Sequence, residues 1–375
     1  MTSSHGRGLL HLAAAVDQRA VHDADSYVEL VRLAERGGLD FVTLDDTFAR
    51  PGPDALAVLS RVAPATSRIG LVPTVTTTHT EPFHVQAAVA TLDWVSRGRA
   101  GWRIDVSATE SEARLFGRRP SPTPGFARAG GSAWPADALW QEAGEVADVA
   151  AKLWDSWEDD AEIRDAATGR FIDRDKLHHV DFTGAAFSVK GPSIVPRPPQ
   201  GHPVRVVDAT EGPARQTAAE YADVVLVRAV SAAHATAVRD QVRESAREFG
   251  RDPGDLCVLA SLVVDLGDGE HAAEPGHGGG GPRPTAQGPL YRGGPVDLAE
   301  LIAGWYTDGT VDGFHLTPAE PRRDLERLVN GTVALLQHRG LFRTFYPGST
   351  LREHLGLARP ANQYAVTHAV TGGAS

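Results

Sequence analysis

Small polar and charged side chains follow the apolar runs of this sequence, at the points where those runs end. The hydroxyl run Thr76–Thr78 leads to His79, and Asp105 and Ser107 end the next apolar run. Hydroxyls and carboxylates hydrogen-bond the heteroatoms of a ring-shaped ligand, and a histidine acts as acid or base near neutral pH. These residue types indicate a small-molecule site, although solvated loop entries also carry them.

Two histidines are candidates for proton transfer. His79 is the better candidate because it follows the hydroxyl run and precedes a helix start; its alternative role is that of an ordinary helix-entry residue. His315, in the segment GFHLTP, is predicted slightly more readily as a buried core histidine than as a catalytic one. Of the adjacent acids Asp45 and Asp46, only one is expected to face the site, because neighbouring strand residues point to opposite faces.

The sequence lacks the motifs that are typical of other kinds of chemistry. There is no HxH, HExxH or carboxylate–histidine cluster for a metal, and no GxSxG turn for acyl transfer. No GxGxxG follows the first apolar run, which weakens a dinucleotide-binding interpretation. We therefore predict no metal site.

These site residues need a scaffold that gathers the ends of several strands. Eight apolar runs of strand type alternate with amphipathic helices, which favours a (β/α)₈ TIM barrel with its site at the carboxyl ends of the strands. An open doubly wound sheet is the structural alternative. The predicted strands are Leu9–Val16, Leu39–Leu44, Arg68–Thr76, Ala100–Val106, Pro203–Val207, Asp223–Val227, Leu256–Val264 and Gly313–Leu316. In a barrel, the strand ends would also bring Asp17, Asp208, Arg228, Asp265 and Thr317 to the mouth.

The alternation is interrupted, but the chain is predicted to form a single domain over residues 1–375. The excursions cover about residues 117–202 and 266–294, and a tail follows at 339–375. Gly117–Pro135 and Leu266–Gly294 are rich in Gly and Pro, which predicts surface loops. Glu158–Lys176 is highly charged and predicted to be irregular, and a hairpin is expected around Gly184.

The composition limits the partners. The chain has 375 residues, 42% of them apolar, and a formal net charge of −11. That charge argues against nucleic acid and anionic membrane surfaces, so a small-molecule substrate is expected. A single cysteine, Cys257, excludes an internal disulfide and fits a reducing, cytoplasmic setting.

Three blocks of the sequence resemble one family. They are TTTHTEPFHVQAAVATLDWVSRGRAGWRIDVSA at 76–108, a long block at 153–204 that begins LWDSWEDDAEIRDAATGRFIDRDKLHHVDF, and RGLFRTFYPGSTLREHLGL at 339–357. The chain thereby resembles the flavin-dependent monooxygenases of the bacterial luciferase-like superfamily, in the branch with nitrilotriacetate and dibenzothiophene-sulfone monooxygenases. The resemblance implies a (β/α)₈ barrel, a homodimer, and reduced FMN delivered by a separate flavin reductase for reaction with O₂.

Some flavin contacts of that family have matching residues here. Asp46 stands where the family places an acid after the second strand, and Ser107 matches the serine after the fourth. Thr77 lies in the hydroxyl run near the isoalloxazine. The resemblance therefore implies cofactor-binding roles for these three residues.

Other flavin contacts are substituted. Arg103 replaces an asparagine, Trp140 replaces a tyrosine, and an ungapped alignment places Glu211 at the phosphate-binding serine and Ala214 at the following glycine. A carboxylate repels a phosphate, while tryptophan donates a hydrogen bond only through its ring nitrogen. Two explanations stay open: Arg103 compensates from another direction, or the alignment is shifted by one residue around Thr210.

Three functions follow from these observations. The first is an FMN-dependent, two-component monooxygenase of a small organic substrate, with His79 assisting proton transfer. The second keeps the fold and uses a deazaflavin, whose longer phosphorylated tail would meet Arg114, Arg118 and Arg119. The third is a degenerate family member without flavin, acting as a binding protein or cofactor-free enzyme.

Overall fold

Eight parallel strands close into a barrel. The computed structural model describes residues 8, 10–18, 22–117, 134–267 and 281–364. The barrel strands β1 to β8 are, in order, His11–Ala15, Phe41–Leu44, Gly70–Thr76, Gly101–Asp105, Val204–Asp208, Val224–Val227, Cys257–Asp265 and Gly313–Pro318. Each pairs in parallel with the next, and β1 pairs with β8, with Ala13 beside His315. This closure confirms the predicted (β/α)₈ barrel and shows that the open sheet is wrong.

Helices cover the outside of the barrel and one of its ends. Helices α1 to α11 are Ala24–Arg36, Ala55–Val62, Pro82–Ser96, Glu110–Phe116, Ala136–Asp155, Gly212–Tyr221, Ala232–Glu248, Pro295–Thr307, Pro321–Arg327, Ala334–His338 and Leu351–His354. A wider π-helical turn, Leu328–Val333, joins α9 to α10. No described helix is both long enough and apolar enough to cross a membrane.

The excursions contain more regular structure than their composition predicts. The prediction of an irregular Glu158–Lys176 is wrong, because Glu162–Asp165 and Arg170–Ile172 pair as antiparallel strands. The expected hairpin near Gly184 is confirmed as Phe182–Thr183 with Ser188–Val189.

The predicted surface loops differ in outcome. In Leu266–Gly294, the described part holds a hairpin whose second strand, Gly288–Arg292, pairs with the end of β7, so the loop prediction is wrong there. In Gly117–Pro135, residues 118–133 lie outside the described residues.

The barrel interior has an apolar end and a polar end. Near the amino ends of the strands, Phe41, Val72 and Leu259 pack together with Leu351 of α11 and with Leu355, which directly follows that helix. A Cβ added at Gly70 would lie 2.6 Å from Leu351 Cδ1, so the helix sits directly under the barrel. The helix α11 therefore closes this end of the barrel interior.

A buried hydrogen-bond network fastens α11 in place. The Asp93 carboxylate at the end of α3 accepts hydrogen bonds from Ala100 N at 3.0 Å and Gln200 Nε2 at 2.6 Å. Gln200 Oε1 in turn accepts the Arg352 N–H at 2.9 Å. Burial raises the pKa of Asp93 to about 6. The network connects α3, the approach to β5 and the C-terminal helix.

Candidate active site at the barrel mouth

A cavity of about 810 Å³ opens at the carboxyl ends of the strands. This volume suits a drug-sized or cofactor-sized ligand. Its charged lining combines four carboxylates with three guanidinium groups: Asp17, Asp45, Asp46 and Asp208 with Arg50, Arg103 and Arg228. The cavity is thus highly polar with nearly balanced charge.

Arg103, on β4, is the buried cation of the cavity. Its Nη2 lies 3.6 Å from Asp45 Oδ1 and 3.7 Å from Asp105 Oδ2. Burial acts to lower the pKa of Arg103, but Asp105, Asp45 and more distant carboxylates outweigh it, so the pKa is raised. Its buried Nε has no hydrogen-bond partner within the described ranges. A permanent positive charge and a donor are therefore held inside the barrel.

His315 lies on β8 and lines the same cavity. Its Nε2 is 2.8 Å from Thr43 Oγ1 and its Nδ1 is 3.1 Å from Ser261 Oγ, so both ring nitrogens are hydrogen-bonded. Burial, reinforced by the charge of Arg103, lowers the pKa of His315 to about 3. The imidazole is therefore neutral at physiological pH and fixed in orientation, which is the geometry of a positioning residue.

Both acids after β2 line the cavity, so the prediction that only one of them faces the mouth is wrong. The strand ends at Leu44, and strand alternation no longer applies to the residues that follow it. Asp45 Oδ2 binds Arg50 at 3.0 Å. Asp46 Oδ2 accepts the Ala55 N–H at 3.0 Å, at the start of α2, and burial raises the Asp46 pKa.

Asp17 follows β1 and lies on the same wall. Its Oδ1 accepts the Asp45 N–H at 2.6 Å. Burial is the largest influence on the pKa of Asp17 and raises it to about 6, and the Asp45 carboxylate acts in the same direction. The hydrogen bond from Asp45 N–H and the charges of Arg103 and Arg50 lower this pKa, but by less. Asp17 therefore exchanges a proton close to neutral pH.

The hydroxyls of Thr77 and Ser107 are used within the protein. Thr77 Oγ1 donates to Asp105 O at 3.1 Å, and Ser107 Oγ donates to Glu112 Oε2 at 3.0 Å. The Ser107 N–H also donates to Thr78 Oγ1 at 3.1 Å. Neither residue lines the cavity. These bonds fasten the loop after β3 to the loop after β4.

His79 lies in an aromatic cluster beside the mouth, outside the cavity lining. Its ring stacks on Phe116 with centroids 5.2 Å apart, and Trp134 meets it edge-on at 5.7 Å. Phe48 packs edge-to-face against Phe116, with ring centroids 4.6 Å apart. The backbone of His79 has φ +70°, a left-handed conformation that tightens the turn into α3. The structure thus separates the two predicted histidines.

Trp140 and Glu211 belong to two neighbouring helices, Trp140 to α5 and Glu211 to the start of α6. Trp140 O on α5 accepts the Thr217 hydroxyl of α6 at 2.9 Å, and the Trp140 side chain packs partly against the core. Glu211 precedes the first turn of α6, and its side chain forms no capping bond. Glu211 therefore puts a negative charge at the positive end of the helix dipole, a position that would otherwise favour an anionic group of a ligand.

Of the predicted site residues, the cavity brings together Asp46, Arg103 and His315, while Thr77, His79, Ser107, Trp140 and Glu211 lie outside its lining. Asp17, Asp208 and Arg228 reach it as strand-end residues, as expected. Arg50 was missed, because it lies in a loop with no strand pattern. Within the described residues, no group of three or more His, Cys, Asp or Glu is placed to hold a metal ion.

A closed (β/α)₈ barrel with a polar cavity at its carboxyl end is the architecture of an enzyme of small molecules. A family model described as luciferase-like monooxygenase matches residues 3–303. The chain belongs to the luciferase-like monooxygenase family. This finding confirms the predicted class, a flavin-dependent monooxygenase.

Individual relatives agree with this assignment. The chain is 32% identical to N-acetyl-S-(2-succino)cysteine monooxygenase of Bacillus subtilis (strain 168), covering 97% of this chain and 96% of that protein. It is 33% identical to nitrilotriacetate monooxygenase component A of Aminobacter aminovorans, covering 92% of each. The crystal structure of a long-chain alkane monooxygenase superposes with a TM-score of 0.82 at 22% identity, covering 96% of this chain and 99% of that one. The branch named from the sequence is thereby confirmed.

The donor set of the cavity fits the ring system of a flavin. A flavin ring presents carbonyl oxygens and ring nitrogens, and Arg103 offers the cavity a buried cation with an unpaired Nε–H among the described residues. The predicted phosphate end is less suited, because Glu211 adds negative charge at the start of α6. Of the arginines expected to favour a deazaflavin tail, Arg114 pairs with Glu110 at 2.5 Å on α4, and Arg118 and Arg119 lie outside the described residues.

Proposed function

We propose that the protein is a two-component monooxygenase that takes reduced FMN from a separate flavin reductase and oxygenates a small organic substrate. The observation that carries the proposal is the buried Arg103 cation on the cavity wall of a barrel from this family. Bound reduced FMN supplies the two electrons that the incorporation of one oxygen atom from O₂ requires.

The residues of the chain have separate tasks in this proposal. Arg103 and Asp46 hold the flavin ring from the cavity wall, and Arg103 supplies positive charge where the reduced ring is electron-rich. His315 is held between Thr43 and Ser261, so its ring keeps one orientation in the cavity lining. The contacts that the family resemblance assigns to Thr77, Ser107, Trp140 and Glu211 require the ligand to extend beyond the described cavity.

Binding of FMN to variants of Arg103 tests the proposal. The purified protein is titrated with oxidised FMN by fluorescence, and with reduced FMN by anaerobic absorbance. We expect saturable binding, at least tenfold weaker in Arg103→Ala than in wild type, because a buried charge-assisted donor is lost. Arg36→Ala, at the exposed end of α1, is the control. Absence of saturable binding at high micromolar flavin in the wild type would contradict the proposal.

A flavin-free function is the second candidate. The specific observations in its favour are the Glu211 carboxylate at the predicted phosphate position and the internal hydrogen bonds of Thr77 and Ser107. In that case the cavity binds an uncharged or zwitterionic small molecule directly, since its charges nearly balance. Deazaflavin, the third possibility, is distinguished by competition against FMN.

A further inference from the structure

The carboxyl group of Asp17 differs from the other acids of the cavity in what surrounds it. Asp45 pairs with Arg50 at 3.0 Å, Asp208 pairs with Arg228 at 2.8 Å, and Asp46 accepts a backbone N–H at the start of α2. Asp17 has no cation within salt-bridge distance among the described residues, and only its Oδ1 accepts a hydrogen bond. Its Oδ2 is therefore left for the contents of the cavity.

The two histidines predicted to transfer protons are not placed for that task. His315 has both ring nitrogens in hydrogen bonds to hydroxyls, and its low pKa keeps it neutral. His79 packs among aromatic rings outside the cavity lining. A side chain that donates a proton into the cavity would therefore be one of the other lining residues.

Several charged or titratable groups face Asp17 from the neighbouring elements. Burial and the Asp45 carboxylate, after β2, favour the protonated form of Asp17, whereas Arg103 on β4 and Arg50 in the loop after β2 favour the ionised form. Tyr27 on α1 lines the same cavity, and its pKa is raised by burial and by Asp17. From β8, the neutral His315 adds no charge. The sum of these effects keeps a proton available near pH 6.

We propose that Asp17 is a catalytic acid, whose Oδ2 donates a proton to reacting oxygen in the cavity and is then reprotonated by solvent. The proposal rests on the proposed monooxygenase function. With substrate, O₂ takes up two electrons and two protons, so that one oxygen atom enters the product and the other leaves as water; without substrate, the same electrons and protons yield hydrogen peroxide. In each donation the O–H bond of the carboxylic acid breaks, an O–H bond forms on oxygen, and the resulting carboxylate takes a proton from water.

The first test follows the reoxidation of protein-bound reduced FMN by O₂ between pH 5 and 9, in stopped flow without substrate. We expect the wild-type rate to fall about tenfold per pH unit above pH 6, as the acid loses its proton. Asp17→Asn is expected to be about 10²-fold to 10⁴-fold slower at pH 6, with no break near that pH. Asn keeps an oxygen that can accept the Asp45 N–H, so the fold is expected to survive; circular dichroism checks this.

The matched control is Asp25→Asn, because the Asp25 side chain is 78% exposed and pairs with Arg61 at the surface. It should reproduce the wild-type rate and pH profile. If Asp17→Asn reoxidises at the control rate with the same break, Asp17 is not the acid. If neither wild type nor control binds reduced FMN, it is the proposed function that fails.

A second measurement tests Asp17 without any flavin. Protein labelled with ¹³C at the aspartate carboxyl carbons is titrated by NMR, and the Asp17 signal is assigned by its absence in Asp17→Asn. A titration midpoint near pH 6 supports the proposal. A midpoint near the ordinary aspartate value of about 4 would overturn it, because too little acid would remain at neutral pH.

Discussion

Arg103 determines the electrostatic character of the cavity at the residue scale. A guanidinium inside a barrel is stable only when carboxylates surround it, and Asp45 and Asp105 lie within 4 Å of it. The same carboxylates leave the cavity without a large excess of positive charge. A flavin ring that binds beside Arg103 therefore meets a donor and a local cation within a nearly neutral site.

Glu211 is the residue most opposed to a phosphate group. Changing Glu211 to Ser together with Ala214 to Gly removes a negative charge and a side chain at the first turn of α6. We expect FMN affinity to rise about fivefold, since charge interactions at a helix N-terminus contribute about 1 kcal/mol. Fluorescence titration of both proteins measures the change.

Glu244→Ser, an exposed charge removal on α7, is the control for that double variant. An unchanged FMN affinity in the double variant would mean that the loop before α6 is not the phosphate site. Riboflavin, which has no phosphate, should bind the double variant and the wild type equally.

Asp17 also has a consequence for stability. Its pKa is raised by burial to about 6 from 3.8, so the folded state holds the proton more tightly than the unfolded state and loses stability as the pH rises from about 4 to 6. Asp17→Asn is neutral at every pH. We expect it to be more stable than wild type by about 2–3 kcal/mol above pH 6, and equal to wild type below about pH 4. Urea unfolding of both proteins at pH 4 and pH 7.5 measures the two differences. If Asp17→Asn were more stable than wild type at pH 4 but not at pH 7.5, the predicted direction of the pH dependence would be wrong.

The sequence reveals which residue types reach the mouth, but not how their polar atoms are used. Thr77 and Ser107 form a plausible ligand-binding pair in the sequence, yet Thr77 bonds across 28 residues to Asp105 and Ser107 bonds to Glu112. The raised pKa of Asp17 depends on its burial and on Asp45, which are properties of three-dimensional packing. No local pattern encodes either property.

At the scale of elements, the short helix α11 is the floor of the barrel. Leu351 and Leu355 fill the apolar end of the interior, and Leu351 is fully buried. Leu351→Ala should leave a void that the rigid strands cannot close, and lower the free energy of unfolding by about 2–5 kcal/mol. Chemical denaturation measures the loss.

Phe345→Ala is the matched control in the same tail, because its side chain is 77% exposed. It should change stability by less than about 0.5 kcal/mol. Ligand binding at the opposite end of the barrel should be the same in both variants. A weakened FMN affinity in Leu351→Ala alone would mean that the floor and the mouth are coupled.

The alternation of strands and helices was readable from the sequence because each barrel strand is a continuous apolar run bounded by turn residues. The hairpin that ends at Arg292 could not be predicted from the sequence, because its strand Gly288–Arg292 is held by pairing with β7 rather than by an apolar pattern of its own. The start of α1 shows a similar limit of local patterns. Ser26 has the spacing of a capping box, but the Asp23 side chain caps the helix.

At the scale of the whole molecule, the tail after α11 fastens the long excursion to the barrel. Arg359 and the buried Arg197 both bind Asp159, while Asn362 Nδ2 donates to Asp155 O and Trp157 O at 2.9 Å. Residues separated by about half of the chain thus form one cluster. The tail and the excursion are expected to unfold together.

Hydrogen bonds from Arg359 and Arg197 lower the pKa of Asp159 to about 2. Its ionised form therefore stabilises the fold above the ordinary aspartate pKa of about 4, and this contribution is lost as the pH falls towards 2. Asp159→Asn should lower the free energy of unfolding by about 1 kcal/mol or less at pH 7, because the Asp159 side chain is half exposed. At pH 2 the substitution should leave the free energy of unfolding unchanged. Thermal melts of both proteins between pH 2 and pH 7 measure the difference in stability. A difference that stays the same at every pH would contradict the lowered pKa of Asp159.

The position of α11 has a consequence for biosynthesis. A ribosome releases the strands in order from β1, but β8 and the helix that seals the floor are the last parts of the scaffold to emerge. Until then, the inner faces of Phe41, Val72 and Leu259 lack their final cover. The nascent chain must therefore carry an open, apolar sheet through most of translation, a state that binds chaperones and aggregates readily.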